Sequence, residues 1–385
     1  MPKTYSGSRI AKAGKQLIGD DLAARDEALE VLSYWRFSHE KPLDNALKLL
    51  QEHATAKDKN AIFAKRLKRY RSIDGKLRRF PSMSLKAMQD IGGARAIVAT
   101  TKQAKQIARS LKKRPEFKNS LGQVLFKDYV EAPKADGYRG YHLVGNFPDG
   151  VGGKRKIELQ VRTKLQHDWA TTLEVVELFT GQALKSNRGS DDWKAFFKNV
   201  SLQFAVMEKD SLFGRLKPSA KFEAYGRQLL IEDEDKFLRI ESCLAVKKQV
   251  NKLNIVSVLE AFAHSLKMTD DWLNESSVKV SGYVLLMVDT SIPTQSTVEG
   301  RFFAEDDILL AEQEYAQIER STAETQSIVV ALVSTTAVGG IREAFPNYFA
   351  DSTDFLSHLR LIIAAPVTLP TENFIAGMLK RLANR

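Results

Sequence analysis

Between Ile157 and Glu174 the hydrophobic pattern changes its period. Ile157, Leu159 and Val161 alternate with Glu158, Gln160 and Arg162, which predicts a strand with one apolar and one polar face. Leu165, Trp169 and Leu173 then recur at helical spacing, so the chain passes from this strand into a helix with one buried side. A half-solvated edge strand would account for the alternation alone. A polar face reading Glu-x-Gln-x-Arg is the unusual part.

The flanking pattern supplies the other elements. Residues 8–55 read as helices: Ala24, Ala28, Leu29, Leu32 and Trp35 form one stripe, and Pro42 marks a break before a helix through Leu43, Leu47 and Leu50. Trp35, Arg36 and His39 are read as packing and helix surface. Residues 64–80, AKRLKRYRSIDGKLRRF, are taken as one basic helix. Residues 85–98, LKAMQDIGGARAIV, run from a helix into an apolar strand, with Asp90 just ahead of Gly92 and Gly93 and Arg95 on the strand. A capping Asp with turn glycines would look the same. After a helix through Ile107 and Leu111, Pro133 to Gly137 predicts a loop carrying Lys134. The cluster Tyr138, Arg139, Tyr141, His142 then leads into a further strand, and Gly150, Gly152 and Gly153 form the turn before Ile157. Residues 175–275 are mainly helical. From about 277, VKVSGYVLLMVDTS and SIVVALVST predict two buried strands with a helix from Glu305 to about Glu319 between them, and a helical stretch lies around Phe355 to Ile363. That is a small βαβ-type unit, and the helices near 250–275 would serve as its hinge.

Composition narrows the classes. The chain has 385 residues, 43% hydrophobic and 27% charged, with a formal net charge of +11. These values describe a globular protein of two or three domains for which an anionic partner is plausible; the excess charge alone would also serve solubility. A single cysteine, Cys243, excludes an internal disulfide framework, and with six scattered histidines it argues against a structural zinc site. The first residues lack the apolar core of a signal peptide, no run approaches the length of a membrane span, and the cytoplasm is the expected location. Within residues 64–80 stand Lys65, Arg66, Lys68, Arg69, Arg71, Lys76, Arg78 and Arg79 against the single acid Asp74. Such a segment repels itself unless an anion lies nearby, and phosphate suits both Arg and Lys. Tyrosines beside Arg139 suit stacking on a base together with a phosphate grip, although cross-strand aromatic pairs in a hairpin look similar.

Four stretches in order, KRLKRYRSIDGKL, QDIGGARAIV, the loop ending GYRGYHLV, and IELQVRTKLQHDWATTLE, resemble the synthetase domain of the RelA/SpoT family over roughly residues 10–200. The resemblance implies an α/β (α+β) fold: a mixed sheet with flanking helices, related to nucleotidyltransferases, over residues 1–200. A helical extension at 201–276 and a small α/β unit at 277–385, read as regulatory, would follow. It implies transfer of pyrophosphate from ATP to a ribose 3′-hydroxyl, with AMP leaving, to make the alarmones pppGpp and ppGpp. In family terms Asp90 and Glu158 are catalytic and hold Mg²⁺, and Glu158 could also take the proton of the attacking hydroxyl. Arg66 and Arg95 sandwich the adenine, while Lys68, Ser72 and Lys76 hold ATP phosphates. Lys134, Tyr138, Arg139, His142, Gln160 and Arg162 surround the acceptor, with Tyr138 stacked on its guanine. Two departures stand out: Lys68-Arg69 replaces a Lys-Ser pair, and Gly92 and Ala94 replace bulkier residues. His167-Asp168 resembles the pair of the family's metal-dependent hydrolase but lies within LQHDWA, so no hydrolase domain is expected.

Three functions follow as expectations. The first is a guanine-nucleotide pyrophosphokinase acting on GDP or GTP. The second is a toxic relative that modifies the 3′-CCA end of tRNA and is restrained by its C-terminal domain; the third is an inactive binding module. A homo-oligomer and a protein trigger for the C-terminal domain are partners the sequence leaves open.

Overall fold

The computed structural model describes residues 4–180, 184, 189–260, 282–292, 295–322, 328–334 and 353–367. Three helices open the chain, α1 (Gly7–Leu17), α2 (Leu22–Phe37) and α3 (Glu40–Thr55). Ser6 and Asp21 accept the backbone N–H groups of Arg9 and Ala24, satisfying amides that a first helical turn leaves unpaired. Then come β1 (Ile62–Leu67), α4 (Tyr70–Arg79), β2 (Gly92–Val98), α5 (Thr101–Leu111), β3 (Phe126–Asp128), β4 (Tyr141–Pro148), β5 (Lys154–Thr163) and α6 (Lys164–Thr180). The change of period at Ile157 is thus realised as β5 running without a loop into α6.

The segment 64–80 is not one helix. Its first part belongs to β1, and the helix begins only at Tyr70. Pairing of Ile62–Leu67 with β2 along its whole length decides the matter, because Phe63 is buried in the sheet core and the ladder satisfies the backbone. The run of charge hid this period of two. Likewise the helix expected after 85 is only a 3₁₀ turn, Leu85–Ala87.

The five strands form one mixed sheet in the order β1-β2-β5-β4-β3, with β2 and β5 parallel and the other pairs antiparallel. Helices α3 and α5 cover one face, where Leu43, Leu47 and Leu50, with Ile107 and Leu111, pack on Ala94, Ala96, Ile157, Leu159 and Val161. The alternate residues of β2 and β5 face the other way.

Beyond α6 a helical layer follows: α7 (Asp191–Met207), α8 (Pro218–Leu229) and α9 (Lys236–Leu253). A second sheet is built from β6 (Gly282–Ile292), β7 (Gln295–Ala304) and β8 (Ile328–Ser334), with helix α10 (Ile308–Ser321) packed on it through Ala311 and Tyr315. Its order is β7-β6-β8 and both pairings are antiparallel, which corrects the βαβ reading. The unforeseen strand β7 reverses the chain; Gln295, Ser296, Thr297, Glu299 and Arg301 dilute its alternation. Helix α11 (Thr353–Ala364) does not join this sheet. It enters the helical layer, where Phe355 meets Phe204 at 5.5 Å and Phe196 at 6.4 Å between ring centres. Arg36, expected on a helix surface, is 4% exposed; it donates to the Tyr315 hydroxyl at 3.0 Å and lies 5.2 Å from that ring's centre. The hinge expected near 250–275 lies largely outside the described residues.

Candidate functional site

Strand register assembles the site. Residues directly opposite one another across a sheet point to the same side, so two rows face away from α3 and α5. One reads Arg66, Gly93, Glu158 and Val144; the next reads Ala64, Arg95, Gln160 and His142. Arg162 follows Gln160 on β5. Gly93 contributes no side chain between Arg66 and Glu158, so the floor stays open there. Helix α6 closes one side of this floor with Trp169, Ala170, Leu173 and Glu174, and the segment 129–138 closes another. The result is a cavity of about 380 Å³ lined by seven lysines and arginines and four carboxylates.

Of the residues singled out in the sequence, Arg66, Lys68, Lys76, Asp90, Arg95, Lys134, Tyr138, His142, Glu158, Gln160 and Arg162 all line this cavity. Ser72 and Arg139 do not. Ser72 is exposed in the first turn of α4. Arg139 is committed to buried Glu208, its Nη1 2.5 Å from the carboxylate, which ties the 138–141 segment to the end of α7.

Glu158 is held by neighbours on both oxygens. His142 Nδ1 donates to Oε1 at 3.0 Å and Gln160 Nε2 to Oε2 at 2.7 Å. Burial opposes its ionisation, yet His142, Gln160 and the Lys68 ammonium overcome that and hold the carboxyl far below its ordinary range. Burial keeps the His142 imidazole below its usual value, against the pull of Glu158. Asp90 receives Lys68 Nζ at 2.9 Å and Lys76 Nζ at 2.8 Å, so it is no helix cap. Burial raises its pKa, but the two lysines outweigh it and the net shift is downward.

The cations are less comfortable. Burial, followed by the guanidiniums of Arg162 and Arg66, brings Arg95 down to about 9, and its Nε has no hydrogen-bond partner among the described residues. Burial also lowers Lys68 and Lys134. Clustered cations depressed in this way gain from an anion placed among them.

Asp90 and Glu158 supply hard oxygen donors in one cavity, and no group of three or more His, Cys, Asp or Glu side chains suited to a metal is present among the described residues. That donor set fits a cation such as Mg²⁺, which takes one or two carboxylates and completes its shell with phosphate oxygens and water. His167 and Asp168 turn to different partners, Arg95 at 3.4 Å and Lys164 at 2.8 Å.

Tyr138 is 8% exposed, with the Arg162 guanidinium 4.8 Å and the Lys134 ammonium 4.7 Å from its ring centre. The half-buried Tyr129, not singled out as a site residue in the sequence, lines the same cavity with Lys134 4.7 Å from its ring centre. Glu174 and Asp136 were also missed. Tyr129 follows a three-residue strand, too short for a period to be read, and Glu174 is one of several acids on α6.

Residues 65–175 match the family described as "Region found in RelA / SpoT proteins". Among curated proteins, the chain is 34% identical over 111 residues to GTP pyrophosphokinase YjbM of Bacillus subtilis (strain 168), covering 28% of this chain and 51% of that protein. It is 32% identical over 114 residues to GTP pyrophosphokinase YwaC of the same organism, covering 28% and 52%. The chain thus spans about half the length of the curated relatives it matches. Among solved structures, small alarmone synthetase 1 from Bacillus subtilis aligns at 24% identity over 46% of this chain and 92% of that one, with a TM-score of 0.39. The family match takes in every cavity-lining residue except Ala64, so the similarity to RelA/SpoT proteins lies in the residues that build the cavity.

Proposed function

We propose that this cavity transfers pyrophosphate from ATP to the ribose 3′-hydroxyl of GDP or GTP, releasing AMP and forming ppGpp or pppGpp. The observation that carries the reading is the convergence of seven lysines and arginines with Asp90 and Glu158 in one cavity. The 3′-oxygen attacks the β-phosphorus of ATP as the bond to the α-phosphate oxygen breaks. Charge accumulates on the phosphates in that step, and fixed cations stabilise it. Arg66 and Arg95 flank the adenine, and Lys68 and Lys76 hold the phosphates. Lys134, His142, Gln160 and Arg162 border the acceptor. A Mg²⁺ ion bound by Asp90 and Glu158 would supply charge neutralisation at the triphosphate. The depressed carboxyl of Glu158 suits a charge-holding role better than that of a proton acceptor, since an efficient base titrates near the working pH. Ser72 and Arg139 take part only if α4 turns inward and Arg139 leaves Glu208.

A polynucleotide acceptor is the second reading. A groove of about 210 Å³ adjoins the cavity through the shared residues Asp136 and Leu173 and carries Lys194 and Lys198, room and charge that a mononucleotide does not need. The test is incubation with γ-labelled ATP and GDP, GTP or bulk tRNA. Label on the guanine nucleotides supports the first reading and label on tRNA the second. ATP binding without label on any acceptor leaves an inactive module.

A further inference from the structure

A carboxylate outside the matched segment joins two walls of the cavity. Glu208 closes α7, beyond the 65–175 stretch matched to RelA/SpoT proteins. Both of its oxygens are engaged. Arg139 Nη1 donates to Oε2 at 2.5 Å, the Thr163 hydroxyl donates to Oε1, and Gln166 Nε2 lies 3.2 Å from each. The Arg139 and Glu208 side chains are 10% and 6% exposed, so removal of either leaves a buried charge unpaired. The donors come from two places. Arg139 stands between Tyr138 and β4. Thr163 ends β5 and Gln166 lies in the first turn of α6, where the two form a reciprocal cap: Gln166 N donates to Thr163 Oγ1 at 3.2 Å and Thr163 N to Gln166 Oε1 at 3.1 Å. One carboxylate therefore fixes the entry to β4 and the β5–α6 junction against each other. Helix α7 adds two further ties. Ser201 Oγ donates to the Gly137 carbonyl oxygen at 2.5 Å, and Trp169 Nε1 donates to the Phe197 carbonyl oxygen at 2.8 Å. Gly137 has φ +95°, and a Cβ there would come within 3.1 Å of Lys198 Cα, so the loop backbone lies directly on the helix. Tyr138 and Trp169 meet at this corner with ring centres 6.4 Å apart, and both line the cavity.

We propose that Glu208 is a positioning residue for the acceptor side of the cavity. Through Arg139 and the Thr163–Gln166 cap it sets the spacing between the segment that carries Tyr138 and the α6 wall that carries Trp169. This rests on the pyrophosphate-transfer reading of the cavity. Arg139 is then an anchor and not an acceptor ligand. Displacement of a substrate-holding group by about 1 Å can cost about a hundredfold in rate, so a clamp remote from the reacting atoms still bears on turnover. The ATP side belongs to Arg66, Lys68, Lys76 and Arg95, and none of these is a donor to Glu208.

Glu208→Gln keeps the size of the side chain and removes its charge. In the full-length protein the KM for the acceptor that takes the label should rise about tenfold, the scale of one hydrogen bond to a charged group, with the ATP KM nearly unchanged. Arg139→Gln breaks the same tie from the other side and should do the same; it gives the readout alone should Glu208→Gln not fold. The double variant should be no worse than the poorer single, because one tie is lost in all three. A role in folding alone lowers the active fraction, and so kcat, while both KM values stay at wild type. That result overturns the proposal, as does an equal rise in both KM values. An acceptor KM that falls in Glu208→Gln and rises in Arg139→Gln makes Arg139 an acceptor ligand held back by Glu208, and overturns it too. Amide hydrogen exchange gives a readout independent of turnover: residues 137–141 should exchange faster in Glu208→Gln than in the wild type, and unchanged exchange overturns the clamp. If exchange rises but the wild type labels no acceptor, the transfer reading fails and the clamp stands.

Discussion

Glu158 and Asp90 reach the same cavity from different supports, one held by an imidazole and an amide, the other by two lysines. Glu158→Gln keeps the shape and removes the charge, and transfer should fall by at least about a hundredfold, the scale of losing one well-placed electrostatic contact. Asp90→Asn should behave alike, and the double variant should cost less than the two losses combined if both serve one ion. Steady-state turnover of the three variants checks this; near wild-type turnover in Glu158→Gln removes that residue from the mechanism. Buried histidines set a different property. His39 and His358 are 1% and 4% exposed, and burial lowers each from 6.5 to about 4. Unfolding therefore takes up protons between pH 6.5 and 4, so the stability these groups contribute is complete above 6.5 and lost as pH falls toward 4. The ceiling is about 3 kcal/mol for each. Asp168, pushed up to about 6 by burial against the pull of Lys164, works in the opposite sense over the lower part of that window. Denaturant midpoints across this range should show a shallower acid slope in a His39→Gln, His358→Gln double variant.

At the level of elements, the register of β1, β2, β5 and β4 makes one prediction that separates site from fold. A Cβ at Gly93 would come no closer than 3.8 Å, to the Glu158 carbonyl oxygen, so Gly93→Val should leave the thermal midpoint almost unchanged. Its branched side chain would project into the floor between Arg66 and Glu158, and ATP binding should be lost. Calorimetric binding and melting measured together check it; a large drop in stability would mean the floor is packed, not open. The same elements show what the sequence could tell. The β5–α6 transition was legible because its period changes within one unbroken stretch, and Glu158, Gln160 and Arg162 were thereby placed on one face. β1 was misread because Lys65 and Arg66 mask a period of two, and its partner strand is not local in sequence. β7 was missed for a similar reason. Tyr138 could be assigned to the site but not its surroundings, since burial beneath Arg162 and Lys134 is a matter of tertiary packing.

For the whole molecule, the placement of α11 changes how the C-terminal region can be probed. Expression of residues 1–276 would remove Phe355, Leu356, Leu359 and Ile362 from the core they share with α7, α8 and α9. The fragment should be less soluble, or melt several degrees below the full chain, because lost burial of one large apolar side chain alone costs about 3–5 kcal/mol. Such a result speaks to packing and not to restraint of the site. Release of restraint is better sought with Arg36→Ala, which breaks the tie to Tyr315 while keeping α11; a rise in turnover would support a regulatory C-terminal sheet. The return of α11 also sets an order in time. Cys243 Sγ lies 3.6 Å from the Ile362 carbonyl oxygen, 119 residues further along. At about 5–20 residues per second the ribosome needs roughly 6–24 seconds to deliver that partner. Until then the helical layer beside α6 exposes an aromatic seam, so a nascent chain halted before α11 should be open to protease there, and the domain that carries the cavity would complete its packing only late in its own synthesis.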